Sequence, residues 1–188
     1  MKILVVLGSA RREGNTEILI REALKGAGAA DVRFHALIET DYSGCKGCAA
    51  CRAEDPGDNG GCIIDDDMQQ LYKDMAECDA WILGSPVYYG EVTGQMKCFM
   101  DRWYSLKDHE RKLRIPSGKK ALFILVQGAP GEGRYAGVAS RLEKVLKSYE
   151  MRPEILVAPG LEEKGAATES EAIKEKARLA GARLLSRT

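Results

Sequence analysis

Five short apolar runs, separated by amphipathic helical patterns, restrict this chain to a small set of folds. The runs are ILVVLG (3–8), DVRFHALIE (31–39), DAWILGS (79–85), KKALFILVQG (119–128) and PEILVAP (153–159). The first, third and fourth are nearly continuous in apolar residues, as are strands buried on both faces of a parallel sheet. Between the runs, the segments 15–27, 65–78, 92–106, 135–151 and 170–186 predict helices. In 15–27, for example, Ile18, Leu19, Ala23 and Leu24 share one stripe while Arg21, Glu22 and Lys25 point elsewhere. The alternation predicts an α/β protein: a doubly wound, five-stranded parallel sheet with helices on both faces. No repeat or low-complexity linker divides the 188 residues, so one domain is expected over 1–188. Two connections, 40–64 and 107–118, are too long for simple turns, and such loops on a rigid scaffold often carry function.

Charge excludes some partners. Lys plus Arg and Asp plus Glu balance at 28 each. No basic excess points to nucleic acid or to a membrane surface, and no apolar run approaches the roughly 20 residues of a membrane helix. The apolar stretch in MKILVVLGSA spans about five residues, shorter than the roughly 7–15 of a signal core. A cytoplasmic location is expected, with the cysteines reduced.

The loop LGSARREGNTE (7–17) follows the first strand and opens the first helix. Gly8 and Gly14 suit a sharp turn. Ser9, Asn15 and Thr16 offer short polar groups, and Arg11 and Arg12 offer charge. Free N–H groups at the helix start favour an anion there. Neither a G-x-x-x-x-G-K-[ST] nor a G-x-G-x-x-G pattern is present, which argues against P-loop and dinucleotide sites. The loop suits the terminal phosphate of a mononucleotide. In an order 2-1-3-4-5 the switch point lies between strands 1 and 3. There the third strand exits through GSPVYYGEV (84–92), able to flank a flat heterocycle. The fourth strand exits through QGAPGEGRY (127–135), whose glycines permit close backbone approach.

On GSARREGNT, GSPVYYGEVTGQMKCFMDR and a cysteine segment followed by IIDDDM, the chain resembles the flavodoxin-like NAD(P)H-dependent FMN reductases, and within them the iron-sulfur flavoproteins. The likeness covers about 1–160. It implies an FMN-binding domain in which Ser9, Arg11, Asn15 and Thr16 hold the phosphate. Pro86, Val87, Tyr88, Tyr89 and Gly90 would line the ring, and the loop with Gly128 and Gly131 would close its other edge. Arg12 has no clear counterpart role, and either arginine could serve. The implied activity is hydride transfer from NAD(P)H to FMN, with electrons passed on to a quinone, free flavin, metal or other small-molecule or protein acceptor. A homo-oligomer, dimer or tetramer, is also implied, with Tyr88, Tyr89 and Trp103 as aromatic interface surface.

Cys45, Cys48 and Cys51 have the C-x2-C-x2-C register of iron-sulfur proteins. Cys62 is the candidate fourth ligand of a [4Fe–4S] cluster. Relatives place the fourth cysteine a few residues on; here RAEDPGDNGG (52–61) intervenes and would loop out. A cluster, a zinc site and no metal all remain open. The corresponding alternatives to the reductase are an FMN and iron-sulfur electron carrier and a non-catalytic scaffold.

Other residues carry structural expectations. Asp65 is expected to cap its helix within the run 65–67. Lys97, Asp101 and Arg102 are expected to form a local ion pair or a subunit contact. Cys78 and Cys98 are expected in the core, and neither His35 nor His109 has a visible catalytic partner.

Overall fold

The computed structural model describes residues 1–28, 31–54 and 61–185. The strands are β1 (Lys2–Leu7), β2 (Asp31–Ala36), β3 (Ala80–Tyr88), β4 (Glu91–Val92), β5 (Lys120–Val126) and β6 (Arg152–Ala158). The helices are α1 (Asn15–Gly26), α2 (Met68–Glu77), α3 (Gly94–Asp101), α4 (Ala136–Ser148), α5 (Ala166–Glu169) and α6 (Glu171–Leu185). The sheet order is β2-β1-β3-β5-β6, every neighbouring pair parallel, with β4 folded back antiparallel on β3. Counting only the parallel strands, this is the expected 2-1-3-4-5.

Alternation along each central strand divides the interior into two cores. Leu4, Val6, Trp81, Leu83 and Phe123 face α2, α3 and α4; Ile3, Val5, Leu7, Ile82 and Ile124 face α1 and α6. On the second face, helices α1 and α6 cross at two glycines. A Cβ on Gly26 would overlap the backbone carbonyl of Arg178, and one on Gly181 would overlap that of Ala23. The same crossing holds an ion pair from Arg178 Nε to Glu22 Oε2 at 2.6 Å.

Several boundaries differ from expectation. The second strand stops at Ala36, and Leu37–Glu39 form a 3-10 turn. The third helix begins only after Thr93, whose hydroxyl accepts from the Met96 N–H, and it tightens into a 3-10 turn over Arg102–Leu106. Asp65 does not cap α2, which starts at Met68. Its two neighbours are used elsewhere: Asp66 pairs with Arg102, and Asp67 accepts from the Asp41 N–H. Trp103 is 1% exposed, packed edge-on against Trp81, Phe99 and Tyr149, so it offers no interface surface. His35 Nε2 lies 2.7 Å from Asp74 Oδ2, a contact between β2 and α2. Lys97 pairs with Asp101 as expected, whereas Arg102 turns inward. Cys78 is fully buried, but Cys98 is only partly so. Within the stretch expected to loop out, 55–60 lie outside the described residues.

Candidate functional site

Loops at the exits of β1, β3, β5 and β6 meet around a cavity of about 180 Å³. Ser9, Arg11, Gly14, Asn15 and Thr16 form one wall; Pro86, Val87 and Tyr88 form the next; Val126 and Gly128 close a third. Tyr89, Gly90 and Gly131 lie outside this lining. Tyr89 and Gly90 occupy the two-residue turn between β3 and β4, with φ of 51° and 80° and strand partners Tyr88 and Glu91 on either side. Two left-handed residues make a tight hairpin, and they leave the Tyr89 side chain fully exposed at its tip.

The first loop sits close to the sheet because two glycines allow it. A Cβ on Gly8 would lie 2.9 Å from the Met96 side chain, and one on Gly84 would lie 2.8 Å from the Thr16 methyl. The Gly8 N–H donates to Gly84 O at 2.7 Å, and the Thr93 hydroxyl donates to Gly8 O at 2.6 Å. The left-handed residue of the turn is Glu13 (φ 55°), not Gly8 or Gly14. Helix α1 then starts at Asn15, with Gly14 as an N-cap that has no side chain to bond the first N–H groups, and both residues line the cavity. Thr16 is 2% exposed, its methyl seated against Gly84 and its hydroxyl without a hydrogen bond among the described residues.

The two arginines have separate roles. Arg12 pairs with Glu17 (Nε to Oε2, 3.0 Å) and with Glu39. The Arg12 guanidinium, aided by the Glu13 N–H and Arg21, holds the buried Glu17 carboxyl down to about 2 despite its desolvation. Arg11 has no ion pair among the described residues and lines the cavity. Asn15 does not aim its amide at the cavity centre. Its Nδ2 donates to Leu161 O (3.1 Å) and Glu163 O (2.7 Å), and its Oδ1 accepts from the Ala167 N–H (3.0 Å). The segment it holds supplies a fourth wall, Leu161, Glu162 and Lys164. The sequence reading did not include that wall, because a single lysine beyond the last strand matches no motif.

A second cavity, about 270 Å³, is lined by Cys45, Cys48, Cys51 and Cys62 together with Ile63, Ile64, Tyr104 and Arg102. All four cysteines are free thiols, with Cys45 and Cys48 exposed. Left-handed Gly47 and Ala49 curl the chain, and the Gly47 N–H points to Cys45 Sγ at 3.5 Å. Burial pushes the Cys51 thiol up; Arg52 opposes this, and the other three thiols add to it. Among the described residues no group of three or more His, Cys, Asp or Glu side chains converges as one metal ion would require.

Three arginines sew this loop to the body, and sequence patterns hid all three. Arg102 is buried and forked on Asp66 (Nη1 to Oδ2 2.7 Å, Nη2 to Oδ1 3.0 Å), with a further bond to Ser43 O. Arg114 Nη1 donates to Cys51 O at 3.1 Å and to Ser105 O. Arg52 donates to Lys107 O and stacks over Tyr104. Helix α3 links the two cavities, from Thr93, bonded to Gly8, down to Arg102 at its C-cap. Its eight residues span about 12 Å.

A doubly wound sheet with a helix start at its switch point, without a side-chain cap, and glycine-allowed loops around it is an α/β arrangement of the flavodoxin-like kind. The chain belongs to the NADPH-dependent FMN reductase family, whose model matches residues 1–156. It is 36% identical over 156 residues to an iron-sulfur flavoprotein of Archaeoglobus fulgidus, covering 81% of this chain and 66% of that protein. It is 42% identical over 104 residues to one of Methanocaldococcus jannaschii, covering 54% and 51%. The chain thus spans about half to two thirds of the length of these relatives. A solved NAD(P)H:quinone oxidoreductase from Methanothermobacter marburgensis shares the fold at a TM-score of 0.72 and 18% identity, covering 100% of this chain and 97% of that one.

Proposed function

We propose that this chain is an FMN-dependent oxidoreductase that takes hydride from NAD(P)H and passes electrons to a quinone, flavin, metal or other acceptor. The observation that carries it is the first cavity, where Thr16 and Arg11, neither with a side-chain hydrogen bond or ion pair among the described residues, stand beside the start of α1, which has no side-chain cap. Bound FMN supplies the redox chemistry, accepting hydride and releasing electrons. The chain's residues bind and orient. Ser9, Thr16, Arg11 and the α1 N–H groups would hold the phosphate, with Asn15 contributing through its backbone. Pro86, Val87 and Tyr88 would flank the ring from one side and Gly128 from the other, and the turn at Tyr89 and Gly90 would overhang it, with Gly131 shaping the outer loop. Among the described residues no helix is long and apolar enough to cross a membrane. We place the protein in the cytoplasm, where six free cysteines stay reduced.

Replacing Ser9 and Thr16 together by Ala removes two hydroxyls from a phosphate site. The expected loss is about 1–3 kcal/mol, roughly 5- to 150-fold in FMN affinity, read from quenching of flavin fluorescence. Unchanged affinity rules the phosphate assignment out. The domain of 1–188 is also expected to associate through its exposed aromatic turn, where Tyr88 is 44% exposed and Tyr89 more so. Light scattering of the FMN-loaded protein should give a dimer or tetramer mass, and a monomer at micromolar concentration rejects it.

One observation favours the second reading, an iron-sulfur flavoprotein electron carrier: four thiols line one cavity. Cys45, Cys48 and Cys51 keep the C-x2-C-x2-C register of iron-sulfur proteins, whereas zinc sites more often use two separated pairs. Cys45, Cys48, Cys51 and Cys62 would ligate the cluster, and Arg102 would hold the loop from beneath.

A further inference from the structure

We propose that the segment after β6 is the second half of the phosphate site, with Lys164 as its second cation and Asn15 as the residue that positions it. The inference rests on the FMN reading and assigns a phosphate-selecting residue within it. Leu161, Glu162 and Lys164 line the same cavity as Ser9, Arg11 and Thr16. The segment is fixed from two sides. Leu161 N–H donates to Gln127 O at 3.0 Å and Gly160 N–H to Ala129 O at 3.1 Å. On the other side, the three bonds of Asn15 to Leu161, Glu163 and Ala167 bracket Lys164 and use both amide hydrogens and one acceptance by Oδ1. Asn15 is 8% exposed, so these bonds are shielded from water. A buried amide whose three bonds all go to one segment is a device for setting that segment's position.

Lys164 has no ion pair among the described residues, and neither has Arg11. Glu162 also lines the cavity; its Cβ packs within 3.3 Å of a Cβ built on Gly128. Two cations against one carboxylate leave the cavity net positive before the α1 dipole is added. A phosphate dianion is attracted by that positive excess, whereas the uncharged hydroxyl of riboflavin is not. Lys164 therefore selects FMN over riboflavin rather than binding the ring.

The test is parallel titration of FMN and riboflavin into apoprotein, followed by flavin fluorescence at low and at physiological salt. Lys164→Gln is expected to weaken FMN by roughly 5- to 20-fold, toward the lower end because the lysine is solvent-accessible. Riboflavin affinity should not move. Lys164→Arg should restore most of the FMN affinity. Asn15→Ala should lower the FMN-to-riboflavin ratio similarly, and adding Lys164→Gln to it should cost little more. If wild type binds FMN and Lys164→Gln leaves the ratio unchanged, or weakens both flavins equally, the inference fails and the FMN reading stands. If wild type binds neither flavin, the FMN reading itself fails, and this inference fails with it.

Discussion

Gly181→Ala is expected to lower the melting temperature by about 4–12 °C. In an ordinary helix interior the substitution would help, since alanine is favoured over glycine by about 1 kcal/mol. Here the added methyl would fall on the Ala23 carbonyl of α1, and the matching position Gly26 faces the Arg178 carbonyl of α6. Backbone cannot rotate away as a side chain can. The helices must separate, loosening Leu19, Ile20, Ala177 and Ala180, all fully buried, and stretching the Glu22–Arg178 pair. Overpacking typically costs about 1–3 kcal/mol and more when backbone is the obstacle. A net loss of about 2–3 kcal/mol gives the stated shift for a chain of this size. Gly137→Ala is the control of opposite sign. It lies in α4, exposed, with only the Arg141 guanidinium within 4 Å of a Cβ. Thermal melts followed by circular dichroism should show the first variant falling and the second unchanged or slightly higher. Equal melting points would mean that the crossing gives way without cost.

That crossing illustrates what the sequence leaves illegible. The parallel sheet could be read because strands such as 3–8 and 119–128 are buried on both faces, and burial is written in composition. The position of the first loop could be read because its polar and glycine residues fall between an apolar strand and an amphipathic helix. Gly26 and Gly181 leave no such trace: a glycine within a helical pattern looks like a mild defect until the facing backbone is known. Arg102 misled for a related reason. At helical spacing from Lys97 it resembled a surface charge, yet it is 2% exposed and forked on Asp66 from a distant segment. Asn15 lines the first cavity, but its amide works on Leu161 and Glu163, which no local pattern could signal. Local chemistry was visible, while partners chosen by tertiary packing were not.

Anaerobic reconstitution with iron and sulfide is expected to load about four irons and four sulfides per chain, and Cys62→Ala should abolish stable loading. Spacing alone counts against Cys62, because ten residues separate it from Cys51. Loop closure penalises that length only weakly, about 0.6 kcal/mol per doubling. In the folded chain Cys62 lines the same cavity as the other three thiols and is buried at 9% exposure. Its carbonyl is held by Gln69 Nε2 at 3.0 Å, so the α2 end of the loop is anchored before any metal arrives. Preorganisation of that kind reduces the ordering cost that binding must overcome. Cys98→Ala is the matched control, since Cys98 lies outside the cavity lining and should leave loading intact. Broad thiolate-to-iron absorption and metal analysis read the outcome. Near-zero iron in the reconstituted wild type rejects the cluster, and stoichiometric zinc in its place assigns the thiols to a structural metal. Full iron retention in Cys62→Ala would leave the cluster standing and move its fourth ligand elsewhere.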